Sequence, residues 1–161
     1  LNRISEAETF LERARACMGD DSLWFREARI FAFKHGRFEE ALSRLETSLE
    51  KTPGDLFALY YRSRTQAEMG NFQVAASGLE QVVGELPEDS EVHTTLGRIF
   101  GRSGDEFHGY LHYAYVALYD NKVKKIELYM KKAEAAARTR QHEQELEQFK
   151  RTYEDRRQYW Q

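Results

Sequence analysis

Gly36, Gly70 and Gly104 stand 34 residues apart, and the same stride carries Phe38 to Phe72, Ala41 to Ala75 to Gly109, Leu45 to Leu79 to Tyr113, and Pro53 to Pro87. One step back from Ala41 and Leu45 lands on Ala7 and Leu11, which share a helical face. A period of this length marks a supersecondary unit repeated along the chain, each copy covering the apolar face of its neighbour. The columns have physical roles. Two antiparallel helices whose axes approach closely need small residues where they cross. Ala41, Ala75 and Gly109 supply these in the second helix of each pair, Ser63 and Gly97 in the first, while Leu45, Leu79 and Tyr113 fill the wider part of the interface.

The punctuation agrees with that plan. Gly36, Gly70 and Gly104 can take positive φ and end the first helix of each pair. Asp20-Asp21-Ser22, Pro53-Gly54-Asp55 and Pro87-Glu88-Asp89-Ser90 stop one helix and cap the next. Asn71 and Asp105, each directly after a glycine, can cap the second helix of a pair. The expected helices run over 4–18, 22–35, 38–51, 56–69, 72–84, 90–103, 106–119, 122–137 and 141–158. Glycine before an aromatic, then alanine, then a large apolar residue at this period resembles the tetratricopeptide repeat. The expectation is an all-α chain, an α-solenoid of helix-turn-helix repeats with a C-terminal capping helix. Its single domain over 1–161 divides into a half repeat at 1–19, repeats at 22–53, 56–87 and 90–121, and a divergent helix pair and cap at 122–161.

After residue 105 the pattern loosens. Glu106 takes the column of Phe38 and Phe72, and Asn121, with Asp120, replaces the closing proline. Tyr110, Tyr113, Tyr115 and Tyr119 suggest a deeply packed helix. Leu146, Phe149, Tyr153 and Trp160 form one stripe on an otherwise polar last helix, which suits sealing the final apolar face.

Composition narrows the function classes. No run approaches the roughly 18 apolar residues of a membrane-spanning helix, and a net charge of −3 argues against a nucleic-acid carrier. The lysines Lys122, Lys124, Lys125, Lys131 and Lys132 belong to a helix that also carries Val123, Ile126, Leu128 and Met130, and the next helix is acidic. One cysteine, Cys17, permits no internal disulfide or thiolate cluster. The opening half repeat and the absence of an initial methionine suggest a piece of a longer polypeptide.

Catalytic and metal signals fail on inspection. His108 and His112 have a spacing that lets two imidazoles share a metal, but Asp105 is better used as a cap, and one interhelical and one surface histidine are expected. His35 and His93 are expected on the surface or in packing. His142-Glu143 lacks the second histidine of HExxH, because Leu146 stands there. Gly97, Gly101 and Gly104 follow no strand and precede no GK[ST], so they are not a phosphate loop. Cys17 reads as a small buried hydrophobe. No catalytic residue, metal ligand or cofactor is expected.

What remains is surface. In tetratricopeptide repeats the second, fifth, ninth, twelfth and thirteenth columns of each first helix commonly line the concave groove. Counted from Ser22, Leu56 and Ser90, these columns include Arg26, Ile30, Phe33, Lys34, Phe57, Tyr60, Arg64, Ala67, Glu68, Glu91, Thr94, Arg98 and Arg102. The following helix adds Lys125 and Leu128. The expected peptide-binding set is Arg26, Ile30, Phe33, Lys34, Phe57, Tyr60, Arg64, Arg98, Arg102 and Lys125. Arginine beside exposed aromatics suits an extended protein or peptide ligand with carboxylates or a free C-terminus. The dicarboxylate-clamp variety expects Lys at the fifth column and Asn at the ninth. Arg26 and Ile30 depart from it.

The stretches Leu96-Gly97-Arg98-Ile99-Phe100-Gly101-Arg102-Ser103-Gly104 and Gly109-Tyr110-Leu111-His112-Tyr113-Ala114 resemble the tail of certain bacterial metalloproteases. Ala137-Arg138-Thr139 and the stretch from Tyr153 to Trp160 extend that likeness over about residues 90–161. Those enzymes are periplasmic HExxH zinc proteases linked to quality control of outer-membrane proteins. The resemblance implies a periplasmic location and an upstream protease domain of the same chain, for which this part recruits substrates or docks. A free-standing cytoplasmic scaffold or chaperone adaptor is the alternative.

Overall fold

The structure, a computed structural model, describes residues 36–159. The helices expected over 4–18 and 22–35, and with them Cys17, Arg26, Ile30, Phe33, Lys34 and His35, lie outside the described residues, as does Trp160. Within them are α1 (Phe38–Lys51), α2 (Leu56–Glu68), α3 (Phe72–Glu85), α4 (Ser90–Ser103), α5 (Glu106–Tyr119), α6 (Val123–Ala136) and α7 (Arg140–Arg157), and no strand. Each observed end falls within one residue of the expected one.

The backbone explains that agreement. Gly36, Gly70 and Gly104 have φ of 72°, 85° and 87°, in the left-handed region. Asn121, which tolerates that region, takes the same role after α5 with φ 55°. The amides of Asn71, Asp105 and Lys122 return to the carbonyls of Gln66, Phe100 and Ala117 at 2.9, 2.9 and 2.8 Å. These bonds satisfy helix-end carbonyls that would otherwise need water. At helix starts, Asp55 accepts from the Ala58 amide at 3.0 Å, and Asp89 from Glu91 and Val92, both at 2.9 Å. Asp105 accepts from His108 and Thr139 from His142, both at 3.1 Å. Helix α6 is different: it begins on Lys122 with no side-chain cap and no acidic residue in its first turn.

The chain divides into two compact units, residues 1–71 and 72–161. In the described part of the first, α1 packs on α2. Ala41, Leu45, Leu49, Ala58, Leu59 and Ala67 are buried there. The buried Ser63 hydroxyl donates to the Leu59 carbonyl at 2.9 Å, so a small polar side chain sits in the interface without an unmet hydrogen bond. Ala67, expected to face a groove, is only 3% exposed.

In the second unit α5 is the central element: α4 and α6 pack against it, α7 adds a further contact, and α3 packs on α4. The α4–α5 crossing is close because Gly97 and Gly109 meet there. A Cβ on Gly97 would lie 3.1 Å from Tyr113 Cε1 and 3.2 Å from the Gly109 carbonyl oxygen. The core of this unit is Phe107, Leu111, Ala114, Ala117 and Leu118 of α5, Ile126 and Ala133 of α6, and Leu146, Phe149 and Tyr153 of α7. The stripe expected on the last helix is therefore buried as far as Tyr153. The four tyrosines of α5 are only partly buried, since aliphatic and small residues take the deepest positions and leave the wide rings at the margins. Among the described residues, no helix is long and apolar enough to cross a membrane.

Candidate partner-binding face and a histidine cluster

Three of the expected binding residues gather in the first unit. Phe57, Tyr60 and Arg64 follow one another at helical spacing on α2, all partly buried. Phe57 packs on Tyr61 at 4.6 Å between ring centroids, Tyr60 meets Tyr61 edge-on at 5.4 Å, and the Arg64 guanidinium lies 5.4 Å from the Tyr60 ring centre. This is a cluster of mutually tilted rings with a cation over Tyr60 and Tyr61, a contact that holds the arginine in place.

Arg98, Arg102 and Lys125 belong to the second unit. On α4, Glu91, Arg98 and Arg102 are exposed on one face, with Thr94 half-buried among them. Arg102 is laid over the Phe72 ring at 5.2 Å. On α6, Lys125 is exposed and Leu128 is 49% exposed. Helices α4 and α6 both pack on α5 without meeting each other, so α5 floors a trough between them. Tyr113 provides part of that floor: it touches the Gly97 position on one side and pairs with Tyr129 of α6 at 5.5 Å on the other. Lys132 of α6 lies 5.1 Å over the ring of Tyr110 of α5. Arg98, Arg102, Lys125 and Lys132 thus edge an aromatic floor, with Glu91 the acidic residue among them. Guanidinium forks over such a floor can take carboxylates in bidentate fashion while aromatic faces receive apolar side chains.

The other side of α5 carries a cluster that the sequence did not reveal. His93 of α4 and His112 of α5 face each other with their Nδ1 atoms 2.9 Å apart, and His93 Nε2 is 3.0 Å from the Pro87 carbonyl oxygen. A carbonyl only accepts, so His93 donates through Nε2–H. Its Nδ1 then accepts, and His112 donates to it from Nδ1–H. Rings extend the contact in both directions. Tyr115 stacks on His93 at 4.9 Å and on Tyr119 at 5.9 Å, while Phe100 stacks on His112 at 5.5 Å and tilts against His108 at 5.0 Å. Phe107 and His142 of α7 stack at 4.0 Å.

His108 joins two helices through polar contacts. Its Nδ1 is 2.6 Å from Asp105 Oδ2 and its Nε2 is 3.0 Å from Glu145 Oε2 of α7. Both histidines of the i, i+4 pair are therefore interhelical, where one surface residue was expected. His93, only 2% exposed, is a packing residue. The environment is hostile to charge. Burial, then the neighbouring His93 and His108, lowers the pKa of His112 to about 3. Burial also lowers that of His93, against the opposing pull of the Pro87 carbonyl and Asp89. Tyr119 is pushed up to about 12 by burial, Tyr115 and Glu88, with Arg156 opposing. Among the described residues no group of three or more His, Cys, Asp or Glu side chains is placed to hold a metal ion.

Residues 32–99 match the family model described as tetratricopeptide repeat. Two solved structures share the fold. One is described as MamA 41-end from Desulfovibrio magneticus RS-1, 17% identical, with a TM-score of 0.67 over 92% of this chain and 86% of that one. The other is described as MamA RS-1 ArsTM double mutant, 18% identical, with the same TM-score and coverages. The fold is accordingly all-α, of the tetratricopeptide-repeat solenoid class. In the repeat pattern W-x2-L-G-x2-Y, His93 stands in the tryptophan column, followed by Leu96-Gly97, and Phe100 stands in the tyrosine column. That alignment is the signal that could have placed His93 in the core.

Proposed function

We propose that this chain is a non-catalytic binding module that takes up an extended, acidic stretch of a partner protein. Its second-unit site is the trough floored by α5. The observation that carries this reading is the arrangement of exposed Arg98 and Arg102 on α4 and Lys125 on α6 across a floor of Tyr110 and Tyr113. Arginine forks give direction to carboxylate recognition, and the tyrosines give an apolar contact with polar tips. In the first unit, Phe57, Tyr60 and Arg64 offer a surface of the same chemistry. The match of residues 32–99 to tetratricopeptide repeats supports a protein rather than a small-molecule ligand.

The test is fluorescence anisotropy with labelled acidic peptides bearing free C-termini, against wild type and Arg98→Glu/Arg102→Glu. Binding by wild type and its loss in the double reversal, with the circular dichroism spectrum unchanged, is the expected result. No binding by wild type, or binding that survives the reversal, overturns the assignment.

The resemblance of residues 90–161 to periplasmic zinc-protease tails favours a role in recruiting substrates to, or docking, an upstream protease. A free-standing cytoplasmic scaffold or chaperone adaptor is the alternative. The residues preceding Leu1 separate the two: an HExxH helix there selects the first, and further repeats select the second.

A further inference from the structure

Helix α6 carries a second charged surface, which shares Lys125 and Lys132 with the edge of the trough and adds Lys124 and Lys131 beyond it. At about 100° per residue, Leu128 and Ala135 project from the side opposite Ile126 and Ala133, both fully buried. Lys124 and Lys131 flank Leu128 on one side of that crest, Lys125 and Lys132 on the other, and all four are exposed. The four lysines span about 12 Å of helix, and the ammonium of Lys132 is turned over the Tyr110 ring at 5.1 Å. Lys122 is held by Asp120 at 2.7 Å and Lys125 also interacts electrostatically with that carboxylate, whereas Lys124 and Lys131 make no ion pair among the described residues. Of the acidic residues of the same helix, Glu134 pairs with Lys150 of α7 at 3.1 Å, and Glu127 stands beside Lys124 and Lys131 at helical spacing, between the crest and α7.

The sequence accepts an electrostatic conflict to place these charges. Lys124 and Lys125 stand in the first turn of α6, at the positive end of the helix dipole, where cations are unfavourable. Helices α4, α5 and α7 each begin with an oxygen-bearing cap and an acidic residue in the first turn. Helix α6 has neither. Asp120, just before the helix, offsets Lys122 and Lys125. Lys124 has no such partner among the described residues, and a local rule broken there without compensation inside the fold points to compensation from outside it.

We infer that this crest is an attachment surface for anionic phospholipid. Lysine ammoniums are compact, flexible point charges without the directional fork of arginine, which suits a diffuse field of headgroups. The arginines, by contrast, stand in the trough. A crest with an exposed leucine at its centre fits a plane better than a strand: the apolar side chain enters the headgroup–acyl boundary while the lysine stems reach outwards to phosphates.

The experiment is co-sedimentation of the whole chain with phosphatidylcholine vesicles containing roughly one third phosphatidylglycerol, each lysine near the surface being worth about fivefold in partitioning. Wild type sediments with these vesicles and not with pure phosphatidylcholine, and the binding weakens as salt rises. Lys124→Glu/Lys131→Glu lowers partitioning roughly thirtyfold while leaving acidic-peptide binding in the trough unchanged. Folding of this variant is protected, since glutamate in the first turn suits the dipole. Arg98→Glu/Arg102→Glu does the reverse, losing the peptide and keeping the vesicles, so this surface and the trough fail separately. The inference is overturned if wild type ignores the anionic vesicles, or if the lysine variant sediments as wild type does. It is also overturned if an acidic peptide or duplex DNA, and not the vesicles, shows the Lys124/Lys131 dependence. That outcome would make the crest a protein or nucleic-acid face.

Discussion

Acid should weaken the second unit through the His93–His112 pair, and the size of the effect follows from the structure. With its pKa lowered to about 3, His112 stays neutral in the folded chain at pH 5, whereas an unfolded histidine with an ordinary value of about 6.5 is protonated there. The folded value is depressed, so the unfolded chain binds more protons throughout that window and stability rises with pH. Stability is complete above about pH 6.5 and falls as pH drops towards the folded value. Integrated from pH 7 to pH 5, His112 alone costs about 2 kcal/mol. His93, shifted the same way by burial, adds a contribution that brings the pair to at most about 4 kcal/mol. The perturbation is His93→Phe/His112→Phe, which keeps flat rings against Phe100 and Tyr115 but removes both titrating groups. Losing the donor to the Pro87 carbonyl should cost the variant about 1 kcal/mol at neutral pH. Urea denaturation followed by circular dichroism between pH 7 and pH 5, at fixed ionic strength and with a constant m value, gives both slopes. Wild type should lose at least about 2 kcal/mol more than the variant over that range. Coincident slopes would show that these histidines are already charged, or are solvated, in the folded chain, and the packing argument would fail.

Two further substitutions test the α4 helix. Gly97→Ala should destabilise by about 1–3 kcal/mol because the new Cβ meets the immovable Gly109 carbonyl oxygen at 3.2 Å. Gly101→Ala, whose Cβ would meet nothing within 4 Å, should instead stabilise by up to about 1 kcal/mol; thermal melts of the two variants should move in opposite directions. Asp89→Ala removes the acceptor for two helix-start amides and should lower stability by about 1 kcal/mol, read from the urea midpoint, with Asp89→Asn recovering most of it.

The fold was legible because its signals are local. A glycine with positive φ, an aspartate capping the amide three residues on, and a small residue at a crossing each act within a few positions of sequence. The helix ends follow from them. The exposure of Arg98, Arg102 and Lys125 was legible for a related reason, since exposure on a helix paired at a fixed stride follows from column number. Ala67 shows the limit of column counting: its methyl group is small enough to be covered by neighbours, and the register alone does not say so. The histidine cluster was illegible because its contacts join positions 19 and 37 residues apart, from His93 to His112 and from His108 to Glu145. Such contacts depend on how three helices are rotated about their axes. Histidine also carries no fixed preference for core or surface, so only its column in the repeat could have placed His93.

The trough and the cluster occupy opposite sides of α5, and this couples them. The floor residues Tyr110 and Tyr113 keep their places because α5 is held on its other side by rings and hydrogen bonds to α4 and α7. The His93–His112 contact ties α5 to α4, and the His108–Glu145 contact ties it to α7. The Gly97–Gly109 crossing lets α5 approach α4 so closely that Tyr113 spans from Gly97 to Tyr129 of α6. A rotation of α5 that relieved charge on His112 would therefore move Tyr113 in the trough, because both side chains stand on one rigid helix. Binding on the basic side and acid lability on the histidine side are thus two readings of the same helix orientation.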